Sequence, residues 1–446
     1  MARSPAPKGA ANTPLQKGRK GTQRERLLTG MITAANREGY AGASVSAVIA
    51  EAGVSRPTFY DYFSERDDCF TAAIADVQER LLAEVKTAVQ SSEPERAVAA
   101  AMTVIVAFAS AEPAMARFLM IETLAGPPAA LEARDKGVAQ IAKLIERPLG
   151  KPPGEQVAPD LPLDMMVGAI FRLLGSRLRR GERAIGATLE DLLAWVESYS
   201  RELGKHRWRK ITPSSPPPPS PHVPEGQPRA PSPLGPGRPR ISEEEMAENH
   251  RLRIMFATAE VVQQHGYDAS TVMQITRLAK VDGRVFYRLF ADKQEAFSAI
   301  HELGFQYLMA SASAAFFAGS SWPERVWQAL HATTESVQRT PSFAHVGFVE
   351  AYAVGPRGIQ RVEDSRTAFM IFLQEGYQYP DAILAPSRTA LEASITTCFE
   401  ILYRAARASS APRTTTLTGY LTYICLAPFL GATPASDFVE GRLGGE

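Results

Sequence analysis

"GVSRPTFYDYFSERDDCF", Gly53 to Phe70, and "KVDGRVFYRLFADKQEAF", Lys280 to Phe297, decide how this chain folds. Each stretch holds a Phe-Tyr pair, a Phe three residues after the Tyr, and a third Phe seven residues beyond that. The offset between them is a constant 227 residues. From Gly39 to Phe70, nine of 32 positions match across that offset without a gap: Gly39, Tyr40, Val45, Ala52, Val54, Phe59, Tyr60, Phe63 and Phe70. The matches are mostly apolar or glycine, while nearly every polar residue has changed. That pattern describes a duplicated core whose surface has diverged.

The flanks repeat the same order of elements. "TQRERLLTGMITAANREG" places Leu27, Leu28, Met31, Ile32 and Ala35 at helical spacing. "SEEEMAENHRLRIMFATAEVVQQHG" opens on Ser242 and Glu245, a capping-box pattern. Gly39 and Gly266 end these helices. A short helix follows, with Ser44 or Thr271 as its N-cap. A tight turn comes next, Gly53-Val54-Ser55 or Lys280-Val281-Asp282, and then the helix with the Phe-Tyr pair, capped by Ser55 or Asp282. Gly53 suits a positive φ, and Pro57 sits in a first turn, where it removes no intrahelical donor. Two short helices joined by such a turn form a helix-turn-helix. Its second helix can lay polar side chains in a major groove.

Outward from the repeats, the chain divides in two. Residues 211–240 hold about a dozen prolines in thirty positions, so they exclude a helix or an interior strand. An extended linker of that length reaches at most about 90 Å. The rest is rich in Ala, Leu and Met and shows no convincing alternating strands, which predicts an all-α protein. Further helices are expected over 162–180, 189–203, 388–408 and 417–429. The expected organisation is a basic arm (1–20), a first helix-turn-helix domain (21–68), a first helical domain (69–210), the linker (211–240), a second helix-turn-helix domain (241–295) and a second helical domain (296–446).

The 446 residues carry a net charge of +1, so no global field points to a polyanion. The basic residues cluster locally instead, among residues 1–26 and in "GRPR", Gly237–Arg240. Cys69, Cys398 and Cys425 are scattered, with no CxxC and no metal-ligand spacing. Free thiols, a cytoplasmic location and no membrane span are the expectations. No GxSxG, P-loop or HExxH occurs, and the seven histidines show no paired spacing. No catalytic site, metal or cofactor is expected, and the chain does not read as an enzyme.

The stretches Gly39–Phe70 and Gly266–Phe297 resemble the DNA-binding domain of TetR-family transcriptional regulators. Gly-Tyr, the short helix, the turn, Phe-Tyr, Phe and a basic residue opening the next helix carry the resemblance. It implies a tandem, or double, TetR-like protein, each half being a three-helix DNA-binding domain plus an all-helical ligand and dimerisation domain. The family pattern makes Phe59, Phe63, Phe286 and Phe290 core residues. It points Arg56, Pro57, Thr58 and Asp61 at bases, with Tyr60 and Tyr62 against phosphates. In the second module Gly283, Arg284, Val285 and Arg288 face bases and Tyr287 faces phosphate. Ser44 and Thr271 join the contact set, Arg66 and Lys293 are implied phosphate anchors, and Arg19, Lys20, Arg238 and Arg240 are implied arm contacts. Lys280 departs from the usual glycine of the turn, and Leu289 from the usual aromatic or histidine.

The resemblance further implies double-stranded DNA as partner and a small hydrophobic effector. Phe348, Tyr352, Phe369, Phe372, Met120 and Phe171 are its candidate contacts. Family members pair as homodimers, which here implies an intramolecular pseudo-two-fold pair reading two unlike half-sites, most simply as a repressor. A sensor or interaction protein in which one helix-turn-helix no longer binds DNA is the alternative, and a true homodimer of two chains also stays open.

Overall fold

The computed structural model describes residues 22–149, 163–200, 229–233, 241–408 and 414–444, and every regular element among them is helical. The first module is α1 (Gln23–Gly42), α2 (Val45–Ala52) and α3 (Arg56–Tyr62). Thr22 and Glu25 close a capping box on α1, and Gly39 breaks its last turn at φ 75°. Ser44 caps α2 and Ser55 caps α3 through their side-chain oxygens. α4 (Arg66–Gln90), α5 (Ala97–Ala111), α6 (Pro113–Met120), α7 (Pro128–Leu149), α8 (Leu163–Arg179) and α9 (Thr188–Ser200) complete the first half. The stretch Pro94–Ala111 is long and apolar enough to cross a membrane by length and composition; Ala101, Ile105 and Phe108 of α5 are buried in the core.

The second half repeats the plan. α10 (Glu243–His265), α11 (Val272–Ala279) and α12 (Gly283–Leu289) form its module, with Ser242, Thr271 and Asp282 as caps. α13 (Lys293–Ala318), α14 (Trp322–Arg339), α15 (Pro341–Phe348), α16 (Pro356–Phe369), α17 (Ile371–Gln374), α18 (Arg388–Arg407), α19 (Thr414–Leu430) and α20 (Ala432–Gly444) follow. The second module packs a core of its own around Ile254, Ile275, Phe286, Phe290 and Phe297, and Phe343 and Val346 of α15 join it to the body. The first module's core runs on into one large cluster that spans both halves.

α8 lies against α18, and α9 lies against α18 and α19. Tryptophan and tyrosine side chains stitch this bundle in its buried centre. Trp195 Nε1 donates to Ser394 Oγ at 2.9 Å, and Tyr199 Oη donates to the Ile424 carbonyl at 2.7 Å. Burying an indole or a phenol favours such a partner for its polar atom. The helix expected to start at Leu189 and run to Leu203 is described only as far as Ser200.

One local conflict stands out in the turns. Gly53 takes φ 59° at the C-cap of α2, and Lys280 takes φ 51° at the same place after α11. Lys280 is the single non-glycine residue at positive φ among the described residues. A left-handed backbone costs an L-residue with a Cβ about 1–2 kcal/mol. Lys280→Gly should therefore raise stability, by about 0.5–1 kcal/mol once the greater freedom of glycine in the unfolded chain is subtracted. Urea denaturation of both proteins reads the difference. No gain would show that the Lys280 turn carries no strain.

Candidate nucleic-acid interface

α3 and α12 are seven-residue helices with one buried and one open side. Phe59 and Phe286 are fully buried, and Phe63 and Phe290 close the same face just after each helix. Because the spacing of four residues places these rings on one side, the remaining positions point outward. In α3 Arg56, Pro57, Tyr60, Asp61 and Tyr62 are exposed and Thr58 is half-buried. In α12 Gly283, Arg284, Tyr287 and Arg288 are exposed and Val285 is half-buried. Tyr60 and Tyr287 are 49% and 63% exposed, so neither phenol serves as core. The Arg56 guanidinium lies 6.0 Å from the Tyr60 ring centroid.

The caps fix how these faces are presented. Ser55 Oγ accepts from the Thr58 amide at 3.3 Å, and Asp282 Oδ1 accepts from the Arg284 amide at 2.8 Å. Ser44 and Thr271 do the same for α2 and α11, each at 3.2 Å, and both remain exposed. Two residues with no assigned role in the sequence reading hold the turns from behind. Arg26 Nη2 donates to the Gly53 carbonyl at 2.6 Å, and Arg253 Nη2 donates to the Lys280 carbonyl at 2.9 Å. Each satisfies a carbonyl left free where a helix ends. They lie 227 residues apart, so extending the repeat upstream of Gly39 exposes them in sequence.

Arg66 and Lys293, the phosphate anchors that the resemblance implies, also make contacts within the fold. The Arg66 guanidinium stacks on Tyr40 at 4.1 Å and donates to its hydroxyl at 2.5 Å. The Lys293 ammonium lies 4.2 Å from the Tyr267 ring and donates to the carbonyls of Tyr267 and Ser270 at 2.5 and 2.9 Å. Both are half-buried, Arg66 against Tyr40 in the last turn of α1 and Lys293 against the loop after α10. Glu350 accepts from the Tyr267 amide at 2.8 Å and meets His345 Nε2 at 3.3 Å, which ties the same loop to the second helical domain. Arg19, Lys20, Arg238 and Arg240 lie outside the described residues, as does nearly all of the proline-rich stretch.

A narrow cleft of about 50 Å3 opens in the second helical domain, lined by His301, Phe305, Leu308, Phe343, Phe348, Phe369 and Phe399 among others. Of the six candidate effector contacts, Phe348 and Phe369 line it. Tyr352 instead faces Arg172, Phe372 packs on Phe316 and Phe369, and Met120 and Phe171 are buried in the first half. Among the described residues no group of His, Cys, Asp or Glu could hold a metal ion.

Burial, and then the charge of Arg361, lower the His301 pKa from 6.5 to about 4. Because the folded value lies below the unfolded one, the unfolded chain binds the proton first. The contribution to stability is complete above pH 6.5 and is lost as pH falls toward 4, by up to about 1.4 kcal/mol per pH unit. His301→Leu should flatten that part of the stability–pH curve. Equal slopes in both proteins between pH 6.5 and 4 would contradict the assignment.

Residues 32–73 and 254–300 match the family described as bacterial regulatory proteins, tetR family. No curated protein matches the chain. Among solved structures, a bacterial regulatory protein in the tetR family from Rhodococcus is similar at 19% identity and a TM-score of 0.36, over 43% of this chain and 100% of that one. A TetR family transcription regulator from Marinobacter aquaeolei is similar at 16% identity and a TM-score of 0.35, over 41% of this chain and 97% of its own.

Proposed function

From a chain that carries two tetR-family domains in tandem, we propose a DNA-binding transcriptional regulator whose two modules engage one duplex together. The observation that carries this reading is the same helix displayed twice. A phenylalanine pair is buried behind each copy, and an arginine- and tyrosine-bearing face is left open in front. Exposed arginine on a short capped helix suits guanine edges, and exposed tyrosine suits backbone phosphate. The proposed units are the arm (1–20), the modules (21–68 and 241–295), the helical domains (69–210 and 296–446) and the linker (211–240).

The two halves act as an intramolecular pair in this reading. It is supported by the packing of α8 on α18, because these helices carry matching stretches, Phe171-Arg172-Leu173-Leu174 and Phe399-Glu400-Ile401-Leu402. An element that packs on its own counterpart is what a two-fold relation produces. Fusion then frees the recognition faces to differ. Arg56, Pro57, Thr58 and Asp61 read one half-site, and Gly283, Arg284, Val285 and Arg288 read the other. A small apolar effector in the cleft beside His301 would adjust Glu350 and the Tyr267 loop, and so release the second module. Repression relieved by that effector is the simplest regulatory sense.

Covalent tethering makes the second DNA contact intramolecular. Sedimentation of a labelled duplex with nanomolar protein is the test. One chain per duplex, with affinity unchanged on dilution, is expected. Binding that needs two chains would overturn the intramolecular pair.

A further inference from the structure

We propose that the contact between the halves is selective by charge, so that the first half accepts the second and rejects a copy of itself. This rests on the intramolecular pairing proposed above and adds what enforces it.

Arg172 and Glu400 occupy the same place in the matching stretches of α8 and α18, and Arg172 Nε donates to Glu400 Oε2 at 2.5 Å. A second pair of places repeats the exchange. Arg134 stands eight residues after Gly126-Pro127's glycine, and Glu363 stands eight after the glycine of Gly355-Pro356. Arg134 grips Glu400 with both Nη atoms, at 2.6 and 3.1 Å. Glu363 faces Arg179 and Arg180 of the first half at 3.1 and 3.4 Å. Arg134 and Glu400 are 0% exposed, Arg172 is 1% exposed and Glu363 is 6% exposed. At two equivalent buried places the first half therefore supplies arginine, and the second half supplies glutamate.

The aromatic surroundings have the same polarity, although buried Arg366 of the second half also donates across the contact, to Ser176 Oγ at 2.9 Å. Tyr352 and Tyr403 of the second half lie 4.9 and 4.5 Å from the Arg172 guanidinium, their ring faces toward the cation. The equivalent places in the first half hold Leu124 and Gly175, which offer no ring. The rim carries pairs of opposite sense, where Asp135 of the first half meets Arg404 and Arg407. Those arginines are partly exposed, so water screens them and they discriminate little.

Two first halves paired in this way would bring Arg172 onto Arg172 with Arg134 close by, and the one neighbouring carboxylate, Asp135, is already bonded to Arg134 at 2.9 Å. Two second halves would bring Glu400 onto Glu400, each with only its own Arg404, at 3.3 Å, beside it. A buried charge facing its like has lost its water and gained no partner across the interface, which is among the costliest arrangements an interface can contain. Like pairs should fail where the unlike pair holds. A chain cannot then open and assemble with another chain through like halves.

Full-length variants test this. Arg134→Glu with Arg172→Glu makes both faces acidic, and Glu363→Arg with Glu400→Arg makes both basic. Each alone should lose its packed pair, with the melting temperature lower by roughly 10 °C or more. Refolded together, the two chains should form a mixed two-chain particle by native mass spectrometry, because each acidic half then meets a basic one. The chain carrying all four changes should regain at least half of the lost melting temperature as a single chain; full recovery is not expected, because Tyr352 and Tyr403 stay on the wrong side. A double variant that melts with the wild type, a mixture that forms no mixed particle, or a fourfold variant that regains nothing would each overturn the charge selectivity. A wild-type chain that sediments as two separate halves would defeat the pairing itself instead.

Discussion

Glu400→Gln is expected to cost about 3–5 kcal/mol, because it leaves buried Arg172 without its counterion and Arg134 with Asp135 alone. The carboxylate lies between Arg134 and Arg172 and is fully buried. Burial alone pushes its pKa up, but Arg134 and Arg172, and then Arg404, outweigh that and hold it well below the usual carboxylate range. With the folded value below the unfolded one, its contribution is complete above the unfolded value of 4.5 and fades only as pH falls toward the folded value. The loss in Glu400→Gln should therefore be the same at pH 6 and pH 8. It should also change little with salt, since buried charges are screened weakly. Thermal denaturation at both pH values and two ionic strengths reads this. A loss below about 1 kcal/mol, the size of an exposed ion pair, would show that the site is wet.

The second large effect concerns binding. Arg284→Ala should weaken the preferred duplex by about 1–3 kcal/mol and relax the choice of base at one position. Arg284 is exposed, and the Asp282 cap on its own amide fixes where its side chain leaves the helix. Lys293→Ala should act differently. Its ammonium closes the Tyr267 loop, so its loss should lower the stability of the second module and weaken all sequences alike, with the salt slope unchanged. A fall of about one unit in that slope would show that Lys293 also touches phosphate. Equal losses for Arg284→Ala on preferred and scrambled duplexes would remove it from base recognition.

The elements of each module were legible in the sequence because local chemistry sets them. Ser44, Ser55, Thr271 and Asp282 cap the helices they were expected to cap, and Gly53 takes the positive φ its turn requires. The internal contacts of Arg66 and Lys293 were not legible. A basic residue opening a helix does not show in sequence that it also reaches Tyr40 or the carbonyls of the Tyr267 loop. The aromatic stripe of the second helical domain had the same ambiguity. Phe348 and Phe369 reached the cleft, while Tyr352 went to Arg172 at 4.9 Å, a contact that depends on the other half. The charge exchange between the halves stayed hidden for a third reason. Arg172 against Glu400 counts as a mismatch when identities are tallied, although the mismatch is what joins the halves.

Selection of bound duplexes from a random pool by the intact chain tests the central claim most directly. Arg56 and Gly283 occupy equivalent places on the two recognition faces, as do Pro57 and Arg284, and Asp61 and Arg288. An aspartate accepts from cytosine or repels phosphate, whereas an arginine favours guanine. The account predicts one chain per duplex and two unlike half-sites about one helical turn apart. Recovery of a perfect palindrome bound by two chains would contradict it.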